Sequence, residues 1–185
     1  TLSRGLGDVY KRQVIINAGD GTHEHPSQAI LDMMSLKEVF GTLNNLKIGI
    51  IGDIAHSRVA LSNIYGLKAM GAQVTLCGPP NLIPKNIEDM GVTVNYNIDE
   101  VIEWADALNV LRIQRERMGL DLIPSRREYR SKFGITKKRI LNHKKEIIIM
   151  HPGPINRGVE IDSVVADSDQ AIILDQVLNG VASRM

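Results

Sequence analysis

A chain of 185 residues suffices for one domain, or a domain with part of another, and excludes a large multidomain assembly. Hydrophobic residues at 43% and charged residues at 23% match a packed globular protein and argue against disorder. With 22 Lys and Arg against 21 Asp and Glu, the net charge of +1 lacks the cationic surplus that DNA, RNA or an anionic membrane requires. The one cysteine, Cys77, cannot close an intrachain disulfide, so the fold does not depend on an oxidising compartment and a cytoplasmic home is expected. Apolar runs such as Ile147 to Met150 are short, and neither a membrane span nor a signal peptide is expected.

In chain order, residues 1–13 have no apolar period and read as a non-native leader. Residues 14–44 hold a strand-like Val14-Ile15-Ile16 and a helix opened by Pro26, a residue suited to the first helical turn. Lys47 to Asp53 is short, apolar and ended by Gly-Asp, as a buried parallel strand would be. From Ser57 to Met70, Val59, Ala60, Ile64, Leu67 and Ala69 keep helical spacing, and Gly71 stops the helix. Strands follow at 73–77, 92–96, 107–114 and 146–150, with helices predicted at 87–90, 98–105 and 136–144. This alternation predicts an α/β fold: a doubly wound parallel sheet of about five strands with helices on both faces. The domain expected over 45–165 is followed by the start of a further helix over 166–185.

Four polar segments interrupt the pattern. Asn17 to Gln28 packs glycines and polar groups before a helix start, where free N–H groups and the helix dipole favour an anion or a polarised carbonyl. His25 and Gln28 are three apart and share one side of that helix start, so an imidazole and an amide could grip a small planar group; a plain capped loop is the alternative. His23-Glu24-His25 suggests a metal, but no further His/Cys pair stands at ligand spacing, and no metal is expected. Gly49 to Arg58 lies on a strand-to-helix turn but lacks two glycines of the dinucleotide fingerprint, which disfavours a nucleotide-dependent oxidoreductase. Ser57 there can cap the helix, and Arg58 can reach a carboxylate with its forked guanidinium. Leu111 to Arg117 starts at a strand's carboxyl end, the side on which open parallel sheets build sites, though its charges would also suit a solvated run. His151 to Glu160 follows the last strand with two prolines and two glycines, and carbonyls such as that of Pro152 could accept from a ligand amine.

Taken together and in this order, Asn-Ala-Gly-Asp-Gly…His-Pro-Ser-Gln-Ala, Gly-Asp-Ile…His-Ser-Arg-Val-Ala, Leu-Arg-Ile-Gln and Met-His-Pro-Gly-Pro-Ile-Asn-Arg-Gly-Val-Glu resemble the aspartate branch of the aspartate/ornithine carbamoyltransferases, from about Val14 to Met185. His151-Pro152-Gly153-Pro154 differs from the His-Cys-Leu-Pro of the ornithine branch, which is the less favoured alternative. The resemblance implies carbamoyl transfer from carbamoyl phosphate to L-aspartate in pyrimidine synthesis, without a cofactor, by a homotrimer. It assigns His25 to the carbonyl oxygen of carbamoyl phosphate and Gln28 to its amide, with the Pro152 and Gly153 carbonyls on the carbamoyl nitrogen. Arg58 and Arg112 would take the two carboxylates of aspartate, and Gln114 would steady Arg112. Ser125 to Phe133, charge-rich and without apolar period, is similar to the family's mobile loop over aspartate.

The family's Ser-Thr-Arg-Thr phosphate cradle does not occur in the sequence. The segment is therefore expected to be the aspartate-binding half of such an enzyme, truncated at both ends and inactive alone, with a non-enzymatic dicarboxylate-binding module as the alternative. Ile30, Leu31, Ile172 and Leu178 are then expected to be partly uncovered.

Overall fold

The computed structural model describes residues 17–19, 21, 23–113, 125–143 and 146–185. The predicted strand Val14-Ile15-Ile16 lies outside the described residues. Helix α1 (Pro26–Phe40) opens with Pro26 in its first turn, where the missing N–H costs no helical bond, and ends at Gly41, whose φ is 74°. Strand β1 (Lys47–Ile51) leads to α2 (Arg58–Ala69), capped by the Ser57 hydroxyl accepting from the Ala60 N–H at 3.3 Å. Next come β2 (Gln73–Cys77), two short 3-10 turns, the two-residue β3 (Thr93–Val94), α3 (Ile98–Trp104) and β4 (Ala107–Val110). Helices α4 (Arg126–Phe133) and α5 (Lys137–Asn142), β5 (Ile148–Met150), α6 (Ser163–Ala166) and α7 (Ile173–Ala182) complete the order.

The five strands pair in parallel in the order β3-β2-β1-β4-β5. The chain thus winds outward from β1 and then returns to start the other half at β4. The crevice beyond the carboxyl ends of β1 and β4 is the switch point where open α/β sheets bind ligands.

Alternation along each strand builds two apolar layers. Ile48, Ile50, Val74, Leu76 and Met150 face Leu36, Ile64, Leu67 and Ile172, while Ile51, Cys77, Leu108, Val110 and Ile149 face Val101, Ile102, Tyr129, Phe133 and Val165. Each fully buried Leu or Ile contributes about 1.5–3 kcal/mol. Gly49 sets the approach of α3 to the sheet, since a Cβ there would lie 2.8 Å from Leu108 and 2.9 Å from Val101.

Several sequence expectations need correction. Residues 126–133 form a helix rather than an irregular loop: the Ser125 hydroxyl caps it, and Tyr129 and Phe133, one turn apart, bury a paired aromatic edge. The strands predicted at 92–96 and 107–114 are shorter, because only Thr93–Val94 and Ala107–Val110 find ladder partners. Leu31 and Ile172 are buried, since α7 packs on α1, whereas Ile30 and Leu178 are exposed as expected.

Candidate active site

Past β1 the backbone folds sharply at Gly52, whose φ of 127° suits glycine and whose added Cβ would meet the Leu111 carbonyl at 3.1 Å. Gly78 is equally constrained, as a Cβ on it would sit 2.3 Å from the Gly52 oxygen. These close approaches bring the ends of β1, β2 and β4 together. Beyond Gly52 the buried Asp53 accepts from the His56 backbone N–H at 3.2 Å and contacts His56 Nδ1 at 2.9 Å, fixing the turn that leads to Arg58.

Arg58 is the first residue of α2, and its Nη1 donates to the Gly21 carbonyl at 3.2 Å. A Cβ at Gly19 would come within 2.8 Å of the same guanidinium, so the glycine-rich loop before α1 is shaped to receive this arginine. His25 sits at the end of that loop, its backbone N–H donating to Ser62 Oγ of α2 at 2.9 Å. Burial, then the positive charges of Arg58 and Arg184, hold the His25 imidazole below its ordinary pKa, so the ring is neutral at neutral pH. Ser27 Oγ lies 3.4 Å from His25 Nδ1; with the hydroxyl donating, the tautomer carries its proton on Nε2 and keeps a donor for a ligand.

Gln28 is almost fully buried one turn further on, and its Nε2 donates to Asp32 Oδ1 at 2.9 Å. Asp32 is fully buried and gathers four amides: Gln28 of α1 and Gln176 of α7 on Oδ1, Asn63 of α2 and Asn109 of β4 on Oδ2, at 2.9, 2.7, 2.8 and 3.2 Å. Burial pushes its pKa up to about 6, against the lowering effect of the four hydrogen bonds.

Arg112 follows β4 by two residues and is half-buried. The adjacent Ile113 carbonyl accepts from Asn156 Nδ2 at 3.3 Å, which ties this segment to the loop after β5. That loop begins at His151, whose backbone N–H donates to Gln176 Oε1 at 2.9 Å and whose Nδ1 accepts from the Gly153 N–H at 2.8 Å. Its Nε2 faces Glu160 Oε1 at 3.4 Å, both side chains fully buried. Pro152 and Gly153 form the outer turn, with Gly153 exposed at φ 69°.

Hydrogen bonds thus link Gln28 through Asp32, Gln176 and His151 to Gly153, and the segment of Arg112 to the same loop through Ile113 and Asn156, while Arg58 acts on His25 through its charge. Gln114 lies outside the described residues. Among the described residues no group of three or more His, Cys, Asp or Glu could hold a metal ion, and Glu24 of the His-Glu-His run is hydrogen-bonded to Ser62 instead. Sequence reading missed Asp32, Ser62, Asn109 and Gln176. The only local signal was a carboxylate four residues after Gln28, on the inward face of an apolar helix. Two guanidinium groups, a neutral imidazole and a fixed amide can hold a dicarboxylate beside a polarised carbonyl.

The family model described as Aspartate/ornithine carbamoyltransferase, Asp/Orn binding domain, matches residues 44–185. The aspartate carbamoyltransferase catalytic subunit of Christiangramia forsetii is 60% identical over 171 residues, covering 92% of this chain and 55% of that protein. That of Flavobacterium johnsoniae is 57% identical over 171 residues, covering 92% and 56%. Among solved structures, the catalytic subunit of M. jannaschii aspartate transcarbamoylase superposes with a TM-score of 0.80 at 32% identity, covering 97% of this chain and 60% of that one. The chain spans about half the length of the curated relatives it matches. With most of its length inside the matched domain and its parallel sheet shared with a solved relative, the chain belongs to the aspartate/ornithine carbamoyltransferase family.

Proposed function

We propose that the protein, at its natural full length, transfers the carbamoyl group of carbamoyl phosphate to the amine of L-aspartate. What supports this reading is a neutral His25 that feels the charge of Arg58, with Arg58 opening the helix after β1 and Arg112 standing just past β4, the two strands that flank the switch point. Arg58 and Arg112 each take one carboxylate of aspartate, which fixes the amine near its target. As the amine attacks, negative charge gathers on the carbamoyl oxygen, where the His25 N–H donates to it. The Gln28 amide oxygen and the carbonyls of Pro152 and Gly153 accept from the carbamoyl amide. The new C–N bond forms, the C–O bond to phosphate breaks, phosphate leaves with the bonding pair, and the attacking nitrogen sheds a proton. Gln114 steadies Arg112 in this reading. No cofactor takes part; the assembly is a homotrimer and its setting the cytoplasm.

Initial-rate assays for N-carbamoyl-L-aspartate, with L-ornithine as the competing acceptor, test the reaction; sedimentation tests the trimer. Arg112→Ala raises the aspartate KM at least about tenfold while the carbamoyl phosphate KM stays within about twofold. Preference for ornithine refutes the aspartate assignment. Aspartate binding without turnover reduces the protein to a dicarboxylate-binding module. Weakened carbamoyl phosphate with unchanged aspartate refutes the role of Arg112.

A further inference from the structure

We propose that Asp32 is a positioning residue for carbamoyl transfer: its Oδ1 holds both the Gln28 amide and, through Gln176, the 151–154 loop, so that one buried oxygen aligns the two groups facing the carbamoyl amide. The inference rests on the reading above for Gln28 and the Pro152-Gly153 turn.

An ionised carboxylate offers about four lone-pair sites, and the four amide donors on Asp32 fill them. None of these donors can be turned over without setting oxygen against oxygen. Gln28 therefore commits its N–H2 inward at 2.9 Å and leaves its amide oxygen as the free end, the polarity that an N–H2 ligand needs. Gln176 is fixed at both ends: Nε2 donates to Asp32 at 2.7 Å and Oε1 accepts from the His151 N–H at 2.9 Å. His151 in turn accepts from the Gly153 N–H at 2.8 Å. The path from Gln28 through Asp32, Gln176 and His151 to Gly153 joins residues from α1, α7 and the loop after β5. The second oxygen, Oδ2, holds α2 and β4, the elements that carry or lead to Arg58 and Arg112.

The test separates orientation from stability. Gln176→Glu alone places two carboxylates face to face and lowers the melting temperature. Adding Asp32→Asn turns the new Asn amide nitrogen toward the new Glu carboxylate and restores that contact, but it also faces Gln28 and forces that amide to reverse. The Asp32→Asn/Gln176→Glu protein, made at natural full length, is expected to regain most of the lost melting temperature. Its carbamoyl phosphate KM is expected to stay at least about tenfold above wild type, the size of one lost ligand hydrogen bond, with the aspartate KM within about threefold. Adding Gln28→Glu presents an oxygen to both sides and is expected to recover most of the carbamoyl phosphate KM. A double variant with wild-type carbamoyl phosphate KM, or a triple variant without recovery, overturns the positioning role. If Gln28→Ala itself leaves that KM unchanged, the substrate assignment of Gln28 fails and the proposal falls with it.

Discussion

The fully buried Asp32 makes a definite statement about stability as a function of pH. Its carboxyl has a pKa of about 6 in the folded chain against an ordinary value of 3.8, the increase arising from burial and being partly offset by the four amides. The folded state therefore holds the proton more tightly than the unfolded state. The stability it contributes is fully present below pH 3.8 and is lost as pH rises through 6. The gap, at about 1.4 kcal/mol per pH unit, corresponds to about 3 kcal/mol. His25 has the opposite sign, since its lowered pKa costs stability as pH falls through the imidazole range. The comparison is accordingly made between wild type and Asp32→Asn, in which the His25 contribution cancels. Urea denaturation from pH 4 to 7 should show the wild type losing about 2 kcal/mol relative to the variant across that window, the remainder falling below pH 4. Parallel curves for the two proteins would refute the reasoning, because they would show that Asp32 does not change its ionisation there on folding.

Three further outcomes follow from the geometry. His25→Ala should lower kcat about 10²- to 10³-fold with little change in the aspartate KM, as expected for loss of a single oxyanion donor; an aspartate-specific KM effect would reassign the residue. Tyr129→Phe should leave the fold intact and stabilise it by up to about 1 kcal/mol in urea, because the buried hydroxyl has no hydrogen-bond partner among the described residues. Destabilisation by more than that would reveal a partner. Gly52→Ala should cost at least about 1 kcal/mol, since alanine is strained at φ 127° and its Cβ crowds the Leu111 carbonyl; an unchanged denaturation midpoint contradicts this.

The frame of the fold was readable because its signals are local. Lys47 to Ile51 carries a buried strand's apolar run, and Ser57 followed by helical spacing marks α2 within a dozen residues. Helix α4 was not readable, because its arginines and lysine outnumber the two aromatics that anchor it. Of the candidate site, the positions of Arg58 and Arg112 just after strand ends were legible in the sequence. The Asp32 cluster was not: its partners Asn63, Asn109 and Gln176 stand 31, 77 and 144 residues away, and only the closed sheet brings them together. Leu31 and Ile172 were misjudged for the same reason, since the contact of α7 with α1 spans most of the chain.

The resting place of Arg58 sets a threshold for what can move it. Its guanidinium is occupied by the neutral Gly21 carbonyl and lies against Gly19, so an incoming group competes with an existing partner. The bond to that carbonyl is already assisted by the guanidinium's charge, but an ionised carboxylate adds the opposite charge and can take two parallel N–H···O bonds from the guanidinium fork, which a lone carbonyl oxygen does not. On the proposed reading, an acid displaces the carbonyl, whereas the corresponding amide or ester gains too little to do so. The glycine loop then acts as a gauge of charge, passing over uncharged look-alikes of the acceptor that would fit the same space.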